Sequence, residues 1–259
     1  MSLLEARSLS KAFGGVKAID DFSFEVADHD VIGIIGPNGA GKTTVFNLLT
    51  GVYRLDAGKV VLEGKDLTGL PQHAIAQAGI ARTFQNIRLF QGLTVLENVM
   101  TAADPYSDYN LLDVCFFTSR KRRRERTVRE LSRNYLDTVG LKEYENERPE
   151  SLPYGLQRKL ELARALATNP RVLLLDEPAA GLNPSEVRGF IDLIRTIQGQ
   201  FEFSIVIIEH RLEVVMELSS TVYVLNFGKL LASGTPAEIV CHEAVTEAYL
   251  GEEEIECSA

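Results

Sequence analysis

The sequence of 259 residues lacks any long apolar run. Its longest apolar stretches, Val172–Leu175 and Ile205–Ile208, have the length of strands, whereas a membrane-spanning helix needs roughly 18 apolar residues. The first residues mix in charges and contain no apolar stretch typical of a signal peptide. Three widely spaced cysteines (Cys115, Cys241 and Cys257) show no metal-ligand spacing. We therefore expect a cytoplasmic protein with reduced thiols and no membrane span.

The chain also lacks an excess of basic residues. Its 27 Lys and Arg against 36 Asp and Glu give a net charge of −9, which argues against a general nucleic-acid binder. One basic run, Arg120–Arg124 with Arg126 and Arg129, has three interpretations: a solvated helix face, attraction to anionic lipid headgroups, or contact with nucleic acid. Glu125 and Glu130 interrupt the run and favour the solvated face.

What the chain does contain is an alternation of strand and helix patterns. Residues 1–27 alternate apolar and polar side chains, which suits antiparallel strands. The run Val31–Ile35 enters a glycine-rich turn, and a helix is predicted over Lys42–Thr50, so that strand, loop and helix begin a parallel α/β unit. Further strands are predicted at Val60–Glu63, Ile80–Phe84, Arg171–Leu175 and Ser204–Ile208, with a hairpin of Val222–Asn226 and Leu230–Ser233.

The middle of the chain has a different character, with no convincing strand between about residues 95 and 166. Helices are predicted over Val95–Ala103, capped by Thr94 and Glu97, over Ser119–Val139, over Gly155–Ala167 and, after the cap Asn183, over Pro184–Ile197. Residues 104–110 suit a loop, and the acidic tail from Gly251 is expected to be mobile. We predict one α/β domain, with a core of residues 1–85 and 166–259, an antiparallel β subdomain, and an inserted α-helical subdomain of about residues 86–165.

The strongest functional signal is the segment Gly36–Thr43, which fits the phosphate-loop pattern G-x-x-x-x-G-K-[ST] between a strand and a helix. Its glycines let backbone N–H groups surround phosphates, and the helix N-terminus adds partial positive charge. We expect Lys42 to reach the β- and γ-phosphates and the Thr43 hydroxyl to bind Mg²⁺. The ATP-binding residues are therefore predicted to be Gly36, Pro37, Asn38, Gly39, Ala40, Gly41, Lys42, Thr43 and Thr44.

A second signal is the apolar strand that ends in Asp176 and Glu177. Ligands of open α/β sheets bind at the carboxyl ends of the strands. Asp176 is placed to hold Mg²⁺, and Glu177 is placed to polarise the attacking water. Phosphoryl transfer depends on neutralising charge and on aligning the nucleophile, so the two signals together predict an ATPase.

These motifs, in this order, resemble the ABC ATPase family over nearly the whole chain, and the resemblance implies a P-loop NTPase (RecA-like) core. It implies that Gln85 contacts Mg²⁺ and senses the transporter, that His210 contacts the γ-phosphate, and that Phe13 stacks on adenine. It places residues 179–183 in the segment that follows the catalytic glutamate. Glu177, His210, Lys42 and Gln85 are thus the implied catalytic residues, and Thr43, Gln85 and Asp176 the implied Mg²⁺ ligands.

The family signature, usually Leu-Ser-Gly-Gly-Gln, appears here as Leu152, Pro153, Tyr154, Gly155 and Leu156. In the family this segment opens a helix and contacts the γ-phosphate that is bound to the opposite subunit. Pro153 offers neither hydroxyl nor N–H, and is expected at the first helical position, which tolerates proline. A lost hydrogen bond to a charged group is worth about 1.5–3 kcal/mol, so one ATP site could close about ten- to a hundredfold less favourably.

Three stretches, 79–90, 176–184 and 208–216, resemble the LivG-type ATP-binding subunits of branched-chain amino-acid importers. The resemblance implies a second ABC ATPase subunit, identical or different, and permease subunits at the cytoplasmic face of the membrane. A groove of Phe90, Leu93, Val95 and Leu96 would receive a coupling helix of the permease. Two alternatives stay open: the ATPase of a lipid or lipopolysaccharide exporter, and a soluble ABC ATPase that acts on nucleic acid.

Overall fold

The computed structural model describes residues 2–103 and 119–250. The predicted loop at 104–110, the acidic tail, Cys115 and Cys257 lie outside these residues. So do the side chains of Arg120 and Lys121 in the basic run.

Within the described residues, ten strands form two sheets. In chain order they are β1 (Ser2–Phe13), β2 (Val16–Ala27), β3 (Val31–Ile35), β4 (Ala57–Leu62), β5 (Lys65–Asp66), β6 (Ile80–Arg82), β7 (Val172–Asp176), β8 (Ser204–Ile208), β9 (Thr221–Asn226) and β10 (Lys229–Gly234). The first sheet has the order β2-β1-β4-β5 and is antiparallel, as predicted for the start of the chain. The second has the order β10-β9-β3-β8-β7-β6 and is parallel except for the hairpin partner β10.

The described helices cover the second sheet, and three of them lie between β6 and β7 in the sequence. They are α1 (Lys42–Leu49), α2 (Gln72–Ala78), α3 (Val95–Ala103), α4 (Ser119–Thr138), α5 (Tyr154–Ala167), α6 (Pro184–Gln200), α7 (Leu212–Leu218), α8 (Pro236–Val240) and α9 (Glu243–Val245). The predicted caps of α3 and α6 form, because Thr94 and Asn183 each accept from the third backbone N–H of their helix. The patterns above do not predict α2, α7 and α8, which are short.

The strand predicted at Ile80–Phe84 is two residues too long. The sheet ends at Arg82, and Thr83 adds one more backbone bond to Leu174. The N–H of Phe84 donates instead to the side chain of Glu161. The chain therefore leaves the sheet before Gln85.

Two of the three buried clusters in the described residues cover the faces of the parallel sheet. One lies between the antiparallel sheet, helix α1 and one face of the parallel sheet, and includes Phe22, Phe46 and Ile34. The other lies between the opposite face of the parallel sheet and the helices, and includes Leu160, Leu175 and Ile191. Strand β7 contributes alternate residues to both clusters, so the parallel sheet is covered on both faces. The division at about residues 86 and 165 stays a prediction.

In the described part of the chain, no helix is long and apolar enough to cross a lipid bilayer.

Candidate active site

The predicted functional residues gather at the carboxyl edge of the parallel sheet. The phosphate loop follows β3, Asp176 ends β7, His210 lies two residues after β8, and Gln85 lies three residues after β6. These four strands are neighbours in the sheet. Because parallel strands present their carboxyl ends at one edge, segments distant in sequence meet there.

The phosphate loop is held by close backbone contacts that only glycine permits. Gly36 has a φ of 153°, and a Cβ there would lie 2.0 Å from the carbonyl oxygen of Leu225. Gly41 has a φ of 109°, and its Cβ would lie 2.6 Å from the carbonyl oxygen of Ala18. The backbones of β9 and β2 therefore pack directly against the phosphate loop.

Lys42 begins α1 and is buried beneath the loop. Its Nζ donates to the carbonyl oxygens of Gly36 (2.6 Å) and Pro37 (3.0 Å). Burial lowers the pKa of the Lys42 ammonium, while the charges of Glu177 and Asp176 act in the opposite direction. The ammonium therefore sits between the loop and the two carboxylates that end β7.

Two other predicted catalytic side chains, those of Gln85 and His210, contact the carboxylate of Glu177. Its Oε2 accepts from Nε2 of Gln85 at 2.6 Å, and its Oε1 lies 2.9 Å from Nε2 of His210. Glu177 has a left-handed backbone with a φ of 48°, which costs a non-glycine residue about 1–2 kcal/mol. Its N–H donates to the carbonyl oxygen of Ile208, so the neighbouring strand holds this conformation.

Asp176 is buried and pairs with a residue that the motifs do not indicate. Nη2 of Arg82 donates to Oδ2 of Asp176 at 2.6 Å, and Nη1 of Arg82 donates to Oδ1 of Asn47 at 2.7 Å. The guanidinium also lies 5.5 Å from the ring centre of Phe46 and 5.4 Å from that of Phe84. Arg82 therefore connects the strand before Gln85 to α1 and to Asp176.

The three predicted Mg²⁺ ligands face one cleft. Thr43, Gln85 and Asp176 line it together with Asn47 and Arg82, and its volume is about 450 Å³. The cleft offers hydroxyl, amide and carboxylate oxygens, the donor types that Mg²⁺ prefers.

Phe13 lies at the end of β1 and is 41% exposed. Its ring meets that of Tyr53 edge-on, with centres 5.0 Å apart. Nζ of Lys11 lies 5.5 Å from the centre of the Phe13 ring. An exposed aromatic ring suits stacking on a nucleobase, a contact worth about 1–3 kcal/mol.

The signature segment begins helix α5, as the resemblance implies, but Pro153 is not the first helical residue. Pro153 is the N-cap of α5 with φ −53° and ψ 150°, so its backbone is extended and not helical. Its carbonyl oxygen accepts from the N–H groups of Leu156 and Gln157. Leu152 is buried, whereas Pro153 and Tyr154 are exposed and Gly155 and Leu156 are partly buried. The helix start offers no side-chain cap.

The predicted apolar groove is wrong in two of its four residues. Val95 and Leu96 are buried at 0% and 3% exposure and belong to the core beneath α3. Leu93 is half-buried, and Phe90 is exposed and borders a cleft of about 670 Å³. An apolar helix face gives the same pattern whether it packs a core or lines a groove, which explains the error.

Several residues that organise the site were not expected. Glu209 is buried, and its carboxylate accepts from the N–H groups of Ala179, His210 and Arg211. Burial raises the pKa of Glu209, and these backbone bonds oppose that shift. Two features of the sequence could have indicated these residues. Glu209 is a carboxylate directly after a predicted apolar strand, and Arg82 is a charged residue within the predicted strand before Gln85.

Known proteins resemble this chain over nearly its whole length. The profile of the ABC transporter family matches residues 19–180, and that of the branched-chain amino acid ATP-binding cassette transporter matches residues 229–255. The chain is 44% identical to the high-affinity branched-chain amino acid transport ATP-binding protein BraF of Pseudomonas aeruginosa and 41% identical to LivG of Escherichia coli. Each alignment covers 96% of this chain and 98% of the relative.

More distant proteins share the same architecture. The lipopolysaccharide export system ATP-binding protein LptB of Haemophilus influenzae is 34% identical over 98% of this chain and 99% of its own length. The crystal structure of the ADP conformation of MJ1267, an ATP-binding cassette of an ABC transporter, superposes with a TM-score of 0.84 at 31% identity, covering 97% of this chain and all of that one. The predicted mixed α/β fold is thereby confirmed, and the chain belongs to the ABC transporter family as one of its ATP-binding proteins.

Proposed function

We propose that this chain is the ATP-hydrolysing subunit of an importer for branched-chain amino acids, bound at the cytoplasmic face of the membrane. The observation that carries the hydrolytic part is the meeting of Gln85 and His210 at the carboxylate of Glu177, beside Lys42 and Asp176. The cargo is supported by the profile match at residues 229–255 and by the named activities of BraF and LivG.

In this proposal the predicted residues divide nucleotide binding and hydrolysis among them. The adenine stacks on Phe13, and the phosphates bind backbone N–H groups within residues 38–44 and the ammonium of Lys42. Glu177 orients the attacking water, and His210 and Gln85 hold that carboxylate and face the γ-phosphate. The neutral backbone donors and Lys42 stabilise charge on the transferring phosphoryl group.

A magnesium ion fits the same cleft. Thr43, Gln85 and Asp176 would hold it. Mg²⁺ is usually bound through one or two carboxylates plus substrate phosphates, and Asp176 supplies one such carboxylate. When bound, the ion supplies positive charge to the β- and γ-phosphate oxygens.

The second half of each ATP site is proposed to come from a second ABC ATPase subunit. The segment from Leu152 to Leu156 would contact the nucleotide of that partner, and the partner's signature would contact the nucleotide of this chain. ATP binding across the interface favours the closed dimer, and hydrolysis favours the open one. Permease subunits would transmit this change, and contact with nucleic acid is not expected at a net charge of −9.

Transport tests the cargo directly. Proteoliposomes that contain the complete complex, with its permeases and binding protein, are expected to take up radiolabelled leucine, isoleucine or valine only with ATP on the side of this chain. The Glu177→Gln complex should take up none. Assembly with a lipid-extracting permease, with ATP-dependent release of lipid instead of amino-acid uptake, would support the exporter alternative.

Replacing Pro153 tests whether the signature is weakened. In the Pro153→Ser protein a hydroxyl returns to the N-cap, so ATP-driven association with the partner should tighten by about tenfold, since a hydrogen bond to a charged group is worth about 1.5–3 kcal/mol. Analytical ultracentrifugation of the Glu177→Gln background with ATP measures this. Pro149→Ser, in the preceding turn at Pro149–Ser151, serves as the control. Unchanged association would show that Pro153 does not limit closure.

A further inference from the structure

The segment that carries Gln85 is held by side chains and not by a sheet or helix. From Phe84 to Phe90, here called the glutamine loop, the backbone follows no regular structure. Glu161 and Arg164 of α5 bind the N–H of Phe84 and the carbonyl oxygen of Arg88. Asn98 of α3 binds both the N–H and the carbonyl oxygen of Phe90. The position of this loop therefore depends on α5 and α3.

Arg158 of α5 binds the backbone of Gln85 itself. It is only 4% exposed. Its Nη1 donates to the carbonyl oxygen of Phe84 at 2.9 Å, and its Nη2 donates to the carbonyl oxygen of Gln85 at 2.6 Å. The same Nη2 donates to the hydroxyl of Tyr154 at 2.8 Å. One guanidinium nitrogen thus joins the backbone of Gln85 to a tyrosine one helical turn earlier.

Tyr154 lies at the first turn of α5, next to Pro153 in the signature segment. Its ring also packs on Gly181, because a Cβ at Gly181 would lie 3.0 Å from that ring. Gly181 belongs to the segment that follows Glu177. The tyrosine therefore touches the backbone after Glu177 through its ring and the backbone of Gln85 through its hydroxyl and Arg158.

We propose that Tyr154 and Arg158 are positioning residues that couple the signature segment to Gln85. When the signature contacts the nucleotide of the partner, a shift at Tyr154 moves Arg158 and with it the carbonyl oxygen of Gln85, whose amide binds Glu177 in the chain's own site. The two ATP sites are linked within one subunit by this path. The inference rests on the proposed function, since it requires an ATP site on each side.

A purely structural role predicts something different. If Tyr154 only packs on Gly181 and on the guanidinium, whose carbon lies 5.3 Å from the centre of its ring, then Tyr154→Phe should change nothing, because phenylalanine keeps the ring. Coupling through the hydroxyl predicts a defect in the same variant. Coupling between two binding sites is also reciprocal, so ATP bound in the chain's own site should change the position of Tyr154 through Gln85 and Arg158.

A fluorescent reporter makes the coupling measurable in the full-length chain. The sequence contains no tryptophan, so Phe90→Trp places a single emitter at the end of the glutamine loop. MgATP should shift its emission. Adding Tyr154→Phe should reduce that shift by about half or more while the ATP concentration at half-saturation changes less than twofold. In the assembled complex, kcat of Tyr154→Phe without the reporter should fall about fivefold at constant KM, which corresponds to an activation barrier about 1 kcal/mol higher.

Two further variants complete the test. Tyr223→Phe removes a hydroxyl that bonds only weakly, at 3.4 Å, to the backbone of Glu25, and should match the parent. Arg158→Lys should reproduce the defect, and Tyr154→Phe should add no further loss to it, because both act on one path.

Three outcomes are decisive. A Tyr154→Phe protein with the parent's emission shift and kcat overturns the coupling, even if its resistance to urea is lower. A reduced shift and a reduced kcat at constant KM support it. A parent chain that binds no ATP contradicts the proposed function itself, which the half-saturation measurement reveals independently of Tyr154.

Discussion

The Glu177→Gln protein is expected to bind MgATP with nearly unchanged affinity and to hydrolyse it about a thousandfold more slowly. Removing one preorganised group that acts on the transition state typically costs a factor of about 10²–10³ in kcat, and general-base assistance contributes a factor of about 10²–10⁴. Glutamine is nearly isosteric with glutamate but cannot accept a proton. Binding should persist because residues 36–44 and Phe13 are untouched.

The measurement is phosphate release by the assembled complex at saturating ATP, together with nucleotide binding by calorimetry. Glu217→Gln is a matched control, because Glu217 is a surface carboxylate that pairs with Arg195 and lies far along the chain from the phosphate loop. Its kcat should stay within twofold of the parent. If Glu177→Gln retained more than a tenth of the parent's kcat, another group would have to orient the water.

The Arg82→Leu protein is expected to lose about 3–5 kcal/mol of unfolding free energy, because removal of one member of a buried ion pair leaves the other charge buried without a partner. The side chains of Arg82 and Asp176 are 8% and 4% exposed, and the guanidinium also holds Asn47 of α1. Asp176 would then be a buried carboxylate without its cation. Urea unfolding of the full-length chain measures the loss.

Two comparisons distinguish the cost of an unpaired buried charge from the cost of lost packing. In Arg82→Leu with Asp176→Leu both charges are gone, and most of the loss should be recovered, since buried pairs replaced by apolar residues are often neutral. Arg195→Leu breaks a pair whose side chains are 51% and 46% exposed, and it should cost less than about 1 kcal/mol. A double variant as unstable as Arg82→Leu would assign the cost to packing against Phe46 and Phe84.

The parts of this site that were predictable are those encoded by local sequence. The glycines and Lys42 of the phosphate loop have a fixed spacing, and strand and helix patterns flank them. The end of an apolar strand likewise identified Asp176 and Glu177. The fold class followed from the alternation of elements, which repeats over most of the chain.

The unpredicted parts depend on contacts between distant segments. Arg82 and Asp176 meet only because β6 and β7 are adjacent strands, and nothing in the spacing of the two residues indicates this pair. Pro153 was placed one residue too far into the helix, because the backbone of a cap and that of a first helical residue both accept proline. Tyr154 and Arg158 are four residues apart on a helix, a spacing that places side chains together, so that contact could have been foreseen.

The close approach of Gly36 to Leu225 has a consequence for how the protein is made. The phosphate loop leaves the ribosome about 180 residues before β9, whose backbone packs against it. Strand β3 also lies between β8 and β9, so neither of its neighbours exists in a half-made chain. A ligand stabilises only a chain that can bind it. Synthesis must therefore have passed β9 before cellular ATP can protect the nascent protein from unfolding or proteolysis.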